Sequence, residues 1–349
     1  MTTTDLHALQ WVRWQSQDAQ VLNLLPDPTL VQIELEDGSI EDVPISEVEV
    51  QSAQISPVPE LEFLEEEELS VPVRKGATMH GMKVVMVANN AGGVGKTSLA
   101  MNIGYELGQA GYRVLLIDAD RQANLTTWLG VDPASVREAD TLHAVVVTES
   151  APLPEPRHVH GVDLIPAFWN LQETEAMAKS RPVRCIADRI DSVRGRWDVV
   201  IFDSAPALGE IAKRAAVASD FLLVPLTTNI KGVEALSGVR KFVTEDVQPY
   251  NPGLRYGLFV PTKYDSRRGT DRSALSFIQE ELQGEPLASP LPQRETGWEL
   301  AARECKPVTL AAPHMPVAED VRRVTQEFMA AIGLEPVFRT GTENAEAAQ

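Results

Sequence analysis

Gly92-Gly93-Val94-Gly95-Lys96-Thr97-Ser98 packs three glycines, an amine and two hydroxyls into one short segment. Glycines let consecutive backbone N–H groups turn inward around an anion without Cβ clashes. Lys96 has the reach to meet the β- and γ-phosphates of a nucleotide, and the Thr97 hydroxyl suits Mg²⁺. The segment is a crowded variant of the G-x4-G-K-[ST] phosphate loop, because Asn90 stands where the first glycine of that pattern would be. An apolar run, Val84-Val85-Met86-Val87, precedes it, and Leu99, Ile103 and Leu107 follow at helical spacing. A helix starting near Lys96 adds the partial positive charge of its N-terminus.

Two further segments carry acids at the ends of apolar runs. Leu115-Leu116-Ile117 leads into Asp118-Ala119-Asp120, and Val199-Val200-Ile201-Phe202 leads into Asp203. Two carboxylates one residue apart can order a metal's water shell and position an attacking water, and the third can hold Mg²⁺ through water. Any one of them alone also fits a helix cap.

These segments need a scaffold that brings them to one edge. From residue 81 onward, strand and helix patterns alternate. Strands are expected at 83–88, 113–118, 162–165, 198–203, 221–226 and 256–261. Continuous apolar runs alternating with helical segments predict an α/β fold: a mostly parallel, twisted sheet with helices on both faces, in the manner of P-loop NTPases. Ligands bind at the carboxyl ends of strands in such sheets, where these motifs sit.

The rest of the chain divides by composition. Residues 1–50 read as a small β-rich module: Val31-Gln32-Ile33-Glu34-Leu35 alternates, Asp37-Gly38 is a hairpin signal, and Ile40, Val43 and Ile45 continue the pattern. Residues 51–80 read as a linker, broken by Pro57, Pro59 and Pro72 and carrying Glu65-Glu66-Glu67-Glu68. That run is either a solvated acidic segment or an electrostatic decoy that competes with nucleic acid. Residues 81–335 form the main domain, and 336–349 a small, polar tail.

The 349 residues carry a net charge of −19. Residues 1–80 hold 16 of the 50 acids and three of the 31 bases, which leaves 34 acids against 28 bases in the remainder. The main domain is therefore only mildly acidic, and nucleic-acid binding is not excluded by charge. Cys185 and Cys305 argue against a disulfide framework. No signal pattern or membrane-length apolar run is present in the sequence.

The ordered motifs resemble the deviant-Walker ATPase superfamily that includes the ParA partition proteins and MinD, with ParA the nearer. The resemblance runs from about Lys83 to Ile332. Residues 91–98 resemble the family's KGGxGKT[TS], 118–124 its D-x-D-P-Q-G-N, and 202–209 its Walker B segment. Residues 260–267 resemble a fourth segment near the base, while Pro292-Gln293 and Cys305-Lys306-Pro307-Val308 fall where the family has P-R and G-K-P-V.

The resemblance implies that Gly92, Gly93, Val94, Gly95, Lys96, Thr97 and Ser98 hold the phosphates of ATP. It further implies that Thr97 binds Mg²⁺ directly and Asp203 through water, with Asp118 supporting the metal shell. Asp120 would position the attacking water, and Thr262 and Pro292 would lie near adenine or ribose.

It also implies an ATPase that converts ATP and water to ADP and phosphate, slowly and under partner stimulation. Such a protein dimerises on ATP, binds DNA non-specifically and responds to a ParB-like or adaptor activator. It works at the nucleoid in the cytoplasm to partition DNA or position other large cargo. The alternative is a nucleotide-dependent scaffold or filament former with weak or no hydrolysis.

The sequence departs from the family at three positions. Ala91 replaces the signature lysine that crosses the dimer interface; a cation acting in trans on a transferring phosphate contributes about 10³–10⁵ in rate. Lys179, Arg181, Lys213 and Lys231 are candidates for a substitute. Arg121 replaces proline and Ala123 replaces glycine. Arg267, Arg268, Arg272, Arg294, Arg303, Lys306, Arg322 and Arg323 are either a mixed solvated surface or phosphate contacts to DNA. The C-terminal end lacks the basic amphipathic helix of a membrane-targeted relative, so no membrane partner is expected. The N-terminal module reads equally as a partner-binding domain or a packing extension.

Overall fold

The computed structural model describes residues 11–14, 17–24, 30–35, 40–44, 49–50, 81–148, 151–167, 171–294 and 296–335. The chain separates into two compact units, residues 1–62 and 63–349. In the first, β1 (Trp11–Trp14), β2 (Gln17–Leu24), β3 (Leu30–Leu35), β4 (Ile40–Pro44) and β5 (Glu49–Val50) make an antiparallel sheet in the order β4-β3-β2-β1-β5. β3 and β4 are the pair expected from the alternating run, with Val31 opposite Val43 and Ile33 opposite Glu41. Val43 is buried. The Asp37-Gly38 turn, the 51–80 segment and the 336–349 tail lie outside the described residues.

The second unit is built on seven strands: β6 (Lys83–Val87), β7 (Val114–Ala119), β8 (Arg157–Val159), β9 (Val162–Ile165), β10 (Val199–Ser204), β11 (Phe221–Thr227) and β12 (Arg255–Thr262). Their order is β12-β11-β6-β10-β7-β9-β8, parallel throughout except for β8 against β9. The six strands read from the sequence are present with ends shifted by a residue or so. β8 is additional. It has three residues, two of them Arg and His, and joins β9 through His160 and Gly161, both at positive φ. So short and polar an edge strand gives no apolar run to read.

Eleven α-helices are described in this unit. They are α1 (Lys96–Gln109), α2 (Asn124–Trp128), α3 (Leu142–Val147), α4 (Leu171–Ala178), α5 (Cys185–Ser192), α6 (Glu210–Val217), α7 (Ile230–Lys241), α8 (Gly269–Glu281), α9 (Thr296–Arg303), α10 (Val308–Ala311) and α11 (Pro316–Ile332).

Consecutive strand residues alternate between two cores, which explains why the runs are apolar without interruption. Val84, Met86, Leu115, Ile117, Val200 and Phe202 face one core, closed by residues of α3, α5, α6 and α7 such as Val145, Ile186, Ile211 and Leu236. Val85, Val87, Val114, Leu116, Val199 and Ile201 face the other, closed by α1 and α11 through Leu99, Ile103, Leu107, Val324 and Phe328. α1 lies so close to the sheet that a Cβ on Gly104 would sit 2.5 Å from Leu116 Cδ2. Both helix layers thus clamp β6, β7 and β10 and fix the carboxyl ends of those strands as one rigid edge.

Candidate functional site

β6 ends at Val87, and the chain turns through residues 88–95 into α1. Asn89 is fully buried and organises the turn. Its Nδ2 donates to Pro225 O at 2.6 Å, and its Oδ1 accepts from Ala91 N at 2.7 Å. Gly93 and Gly95 adopt φ of 65° and 97°, the left-handed region that costs any residue with a Cβ. Gly92 and Gly93 are exposed, while Val94 is buried and its carbonyl accepts from Thr262 Oγ1 at 3.0 Å. α1 starts at Lys96 with no side-chain cap and no acid in its first turn. Its N-terminal N–H groups therefore have no internal anion, as an incoming phosphate requires.

The Lys96 amine is buried and donates to Ala91 O at 2.9 Å. Burial lowers its pKa, and the carboxylates of Asp203 and Asp120 oppose that shift. The amine spans the arch of the loop and rests on the Ala91 carbonyl.

The acids arrive from the neighbouring strands. Asp203 on β10 stands in register between Val87 on β6 and Asp118 on β7. All side-chain surface of Asp118 and Asp203 is buried. Asp118 is fully engaged: Oδ2 accepts from Thr126 N at 2.9 Å and Thr126 Oγ1 at 2.7 Å, and Oδ1 accepts from Asp120 N at 3.1 Å. Burial raises its pKa to about 6 against the effect of those bonds. Among the described residues neither carboxylate oxygen of Asp203 has a hydrogen-bond partner of good geometry, the Thr97 hydroxyl being the nearby donor. Burial, then the neighbouring Asp118, raises its pKa well above the usual carboxylate range, while the Thr97 hydroxyl and the Lys96 amine act in the opposite direction. Asp120 lies just past β7, and its Oδ1 accepts from Gln122 N at 3.0 Å.

A buried carboxylate without donors is costly. Asp203 beside the Thr97 hydroxyl, with Asp118 next to it, is a set of hard oxygen donors that fits a divalent cation such as Mg²⁺. The helix start and glycine arch fit a phosphate. The residues present therefore match both groups.

These side chains border a cavity of about 510 Å³ lined by Gly93, Val94, Gly95, Lys96, Thr97, Ser98, Asp120, Thr262 and Pro292. Gly92, Asp118 and Asp203 lie around this cavity without lining it. Four features escaped the sequence reading. Lys263, Trp128 and Trp298 also line the cavity, and Thr126 sets the position of Asp118. Ala123 takes φ 52°, a left-handed backbone that glycine adopts without strain.

Among the described residues, none of the substitute cations considered from the sequence lines this cavity. Lys179 and Lys213 line a separate cavity of about 460 Å³ with Glu175 and Glu210. Lys213 also stands over the Tyr250 ring at 4.8 Å. Arg181 donates to Val147 O. Lys231 and Arg121 are exposed.

Fold and site together define a P-loop nucleotide-binding protein with a mostly parallel, doubly covered sheet. An AAA domain family model matches residues 82–255. The chain is 38% identical over 267 residues to a "Probable plasmid-partitioning protein ParA" of Thermus thermophilus, a match covering 74% of this chain and 82% of the relative. The ATP complex of a McdA variant from Cyanothece superposes with a TM-score of 0.65 at 22% identity, covering 74% of this chain and 100% of that one, and supports the fold alone. A cobyrinic acid a,c-diamide synthase from Mycobacterium smegmatis, with bound ADP and magnesium, gives a TM-score of 0.57 at 30% identity over 64% of this chain and 91% of its own. The chain belongs to the ParA family of P-loop ATPases.

Proposed function

We propose that this protein binds ATP with Mg²⁺, hydrolyses it to ADP and phosphate, and uses the cycle to partition DNA or position other large cargo. The observation that carries the reading is Asp203: a buried carboxylate with no hydrogen-bond partner of good geometry among the described residues, in register with Asp118 and beside Lys96. The T. thermophilus relative is named a probable plasmid-partitioning protein. The M. smegmatis synthase contains ADP and magnesium.

In this reading the N–H groups of residues 92–98 surround the phosphates, and Lys96 exchanges the Ala91 carbonyl for phosphate oxygens. Thr97 and Asp203 would hold Mg²⁺, which neutralises charge on the phosphates when bound. Asp118, fixed by Thr126, supports Asp203 rather than ligating freely. Asp120 orients the attacking water. Thr262 holds the loop through Val94 O, and Pro292 borders the far end of the cavity near the sugar or base.

Dimerisation on ATP, non-specific DNA contact and a ParB-like or adaptor activator complete the cycle, at the nucleoid in the cytoplasm. Among the described residues, no helix is long and apolar enough to cross a membrane. The basic residues considered for DNA contact are mostly engaged. Arg267 and Arg268 pair with Asp265, Arg294 and Arg323 with Asp320, Arg322 with Glu106 and Lys306 with Glu304. DNA contact would therefore be modest in strength and would fall with salt.

Phosphate release under steady-state conditions, with Mg²⁺ and with or without DNA, tests the reading. Turnover that disappears in Asp120→Ala supports it. The absence of turnover in the wild type under every condition would favour the alternative, a nucleotide-dependent scaffold, to which Ala91 in the signature position also points.

A further inference from the structure

Three cations line the cavity at the loop: Lys96, Arg294 and Lys263. Arg294 is held by Asp320 at 2.6 Å, and Lys96 rests on Ala91 O. Among the described residues Lys263 makes no hydrogen bond or ion pair.

Lys263 follows the last residue of β12 at φ 56°, a left-handed backbone that a side chain with a Cβ rarely adopts. Strained backbone of this kind persists where its surroundings over-determine it, and it gathers at functional sites. Both flanks of Lys263 are fixed. Thr262 Oγ1 donates to Val94 O at 3.0 Å. On the other side Tyr264 N donates to Leu291 O at 3.0 Å and Tyr264 O accepts from Gln293 N at 3.0 Å. The turn between these anchors carries the side chain back over the loop. Its Nζ lies 4.0 Å from the point where a Cβ on Gly93 would sit. Gly93 belongs to the exposed arch two residues from Ala91, so a free ammonium stands over the arch from which the family lysine is missing.

We propose that Lys263 supplies that missing charge in cis, its ammonium contacting an oxygen of the phosphate chain of a nucleotide bound in the loop. This rests on the nucleotide reading of the cavity given above. The left-handed turn directs the amine at the arch rather than out along the strand. Glycine at 93, which the φ of 65° favours, leaves the amine in ordinary contact distance of the arch.

The test is binding of the hydrolysis-resistant analogue AMPPNP with Mg²⁺ to the full chain, wild type against Lys263→Gln and Lys263→Arg, at low and at high potassium chloride. Loss of one charge-assisted contact predicts that Lys263→Gln binds about tenfold more weakly at low salt. Lys263→Arg should stay within about twofold of the wild type, and the gap between wild type and Lys263→Gln should narrow at high salt. Equal affinity of Lys263→Gln and wild type would overturn the inference while leaving the nucleotide site intact. A Lys263→Arg variant as weak as Lys263→Gln would overturn it too, since backbone rather than charge would then be at work. A wild type that fails to bind AMPPNP would remove the nucleotide reading itself.

Discussion

Asp203 and Asp118 face each other in register on adjacent parallel strands, and only one of them is satisfied. Thr126 and the Asp120 amide supply three donors to Asp118, whereas among the described residues both oxygens of Asp203 lack a partner of good geometry. Two buried carboxylates side by side repel each other and resist ionisation. The asymmetry divides their roles: Asp118 is a fixed support, and Asp203 has coordination to offer.

The first consequence concerns the protein without ligand. Asp203→Asn removes a buried charge, and its new amide can donate toward Asp118. The ligand-free variant should be more stable by about 1–2 kcal/mol, of the size expected for relieving one unsatisfied buried group. Thermal unfolding in chelator should show a melting temperature a few degrees above the wild type. A lower value would mean that the carboxylate is satisfied in the free protein.

Two glycines of α7 separate a packing defect from a site defect. A Cβ on Gly232 would fall 1.8 Å from Thr227 O, a backbone atom that cannot move away. Gly232→Ala should cost about 3 kcal/mol or more, as overpacking does at its upper range. A Cβ on Gly238 would fall 2.3 Å from Asn90 Nδ2, a mobile side chain next to Ala91. Gly238→Ala should therefore change stability little and weaken nucleotide binding several-fold by displacing the loop entry. Denaturant unfolding and binding measured on both variants check the contrast.

His160 gives a pH dependence. Burial lowers its pKa below the usual 6.5, opposed by a hydrogen bond to Cys305 O. The unfolded chain thus takes up the proton first on acidification. The stability this group confers is complete above pH 6.5 and is lost as pH falls toward the folded-state value. His160→Asn keeps a residue that tolerates the φ of 47° at this turn. Its melting temperature should fall less steeply between about pH 7 and pH 5 than that of the wild type. Parallel curves would remove His160 from the acid response.

The proposed DNA contact has its own signature. Asp320 engages both Arg294 and Arg323. Asp320→Asn frees Arg294 and loosens Arg323, which keeps Glu327 and the carbonyls of Ser289 and Pro290, and should tighten non-specific DNA binding in the presence of ATP. The slope of log affinity against log salt should steepen by about 0.9 for each phosphate newly contacted. An unchanged slope would place the DNA surface elsewhere.

The sheet was legible because its strands are buried on both faces and so read as unbroken apolar runs. β8 was not, since Arg157-His158-Val159 has no such run. Glycine spacing beside Lys96 and Thr97 announced the phosphate loop directly. The division of labour between Asp118 and Asp203 was hidden, because it depends on Thr126, eight residues beyond Asp118, and on strand register. The 260–267 segment was legible as part of the site, but the approach of Lys263 to the loop was not, because only the backbone turn after Thr262 aims the amine at Gly93.

The central claim, that Asp203 helps to hold Mg²⁺ with a nucleotide in this loop, is tested most directly by calorimetric titration of AMPPNP with and without Mg²⁺. The wild type should bind at least about tenfold more tightly with Mg²⁺, as charge-assisted metal and phosphate contacts require, and Asp203→Asn should lose that gain. A full Mg²⁺-dependent gain in Asp203→Asn, or no binding by the wild type, would contradict the account.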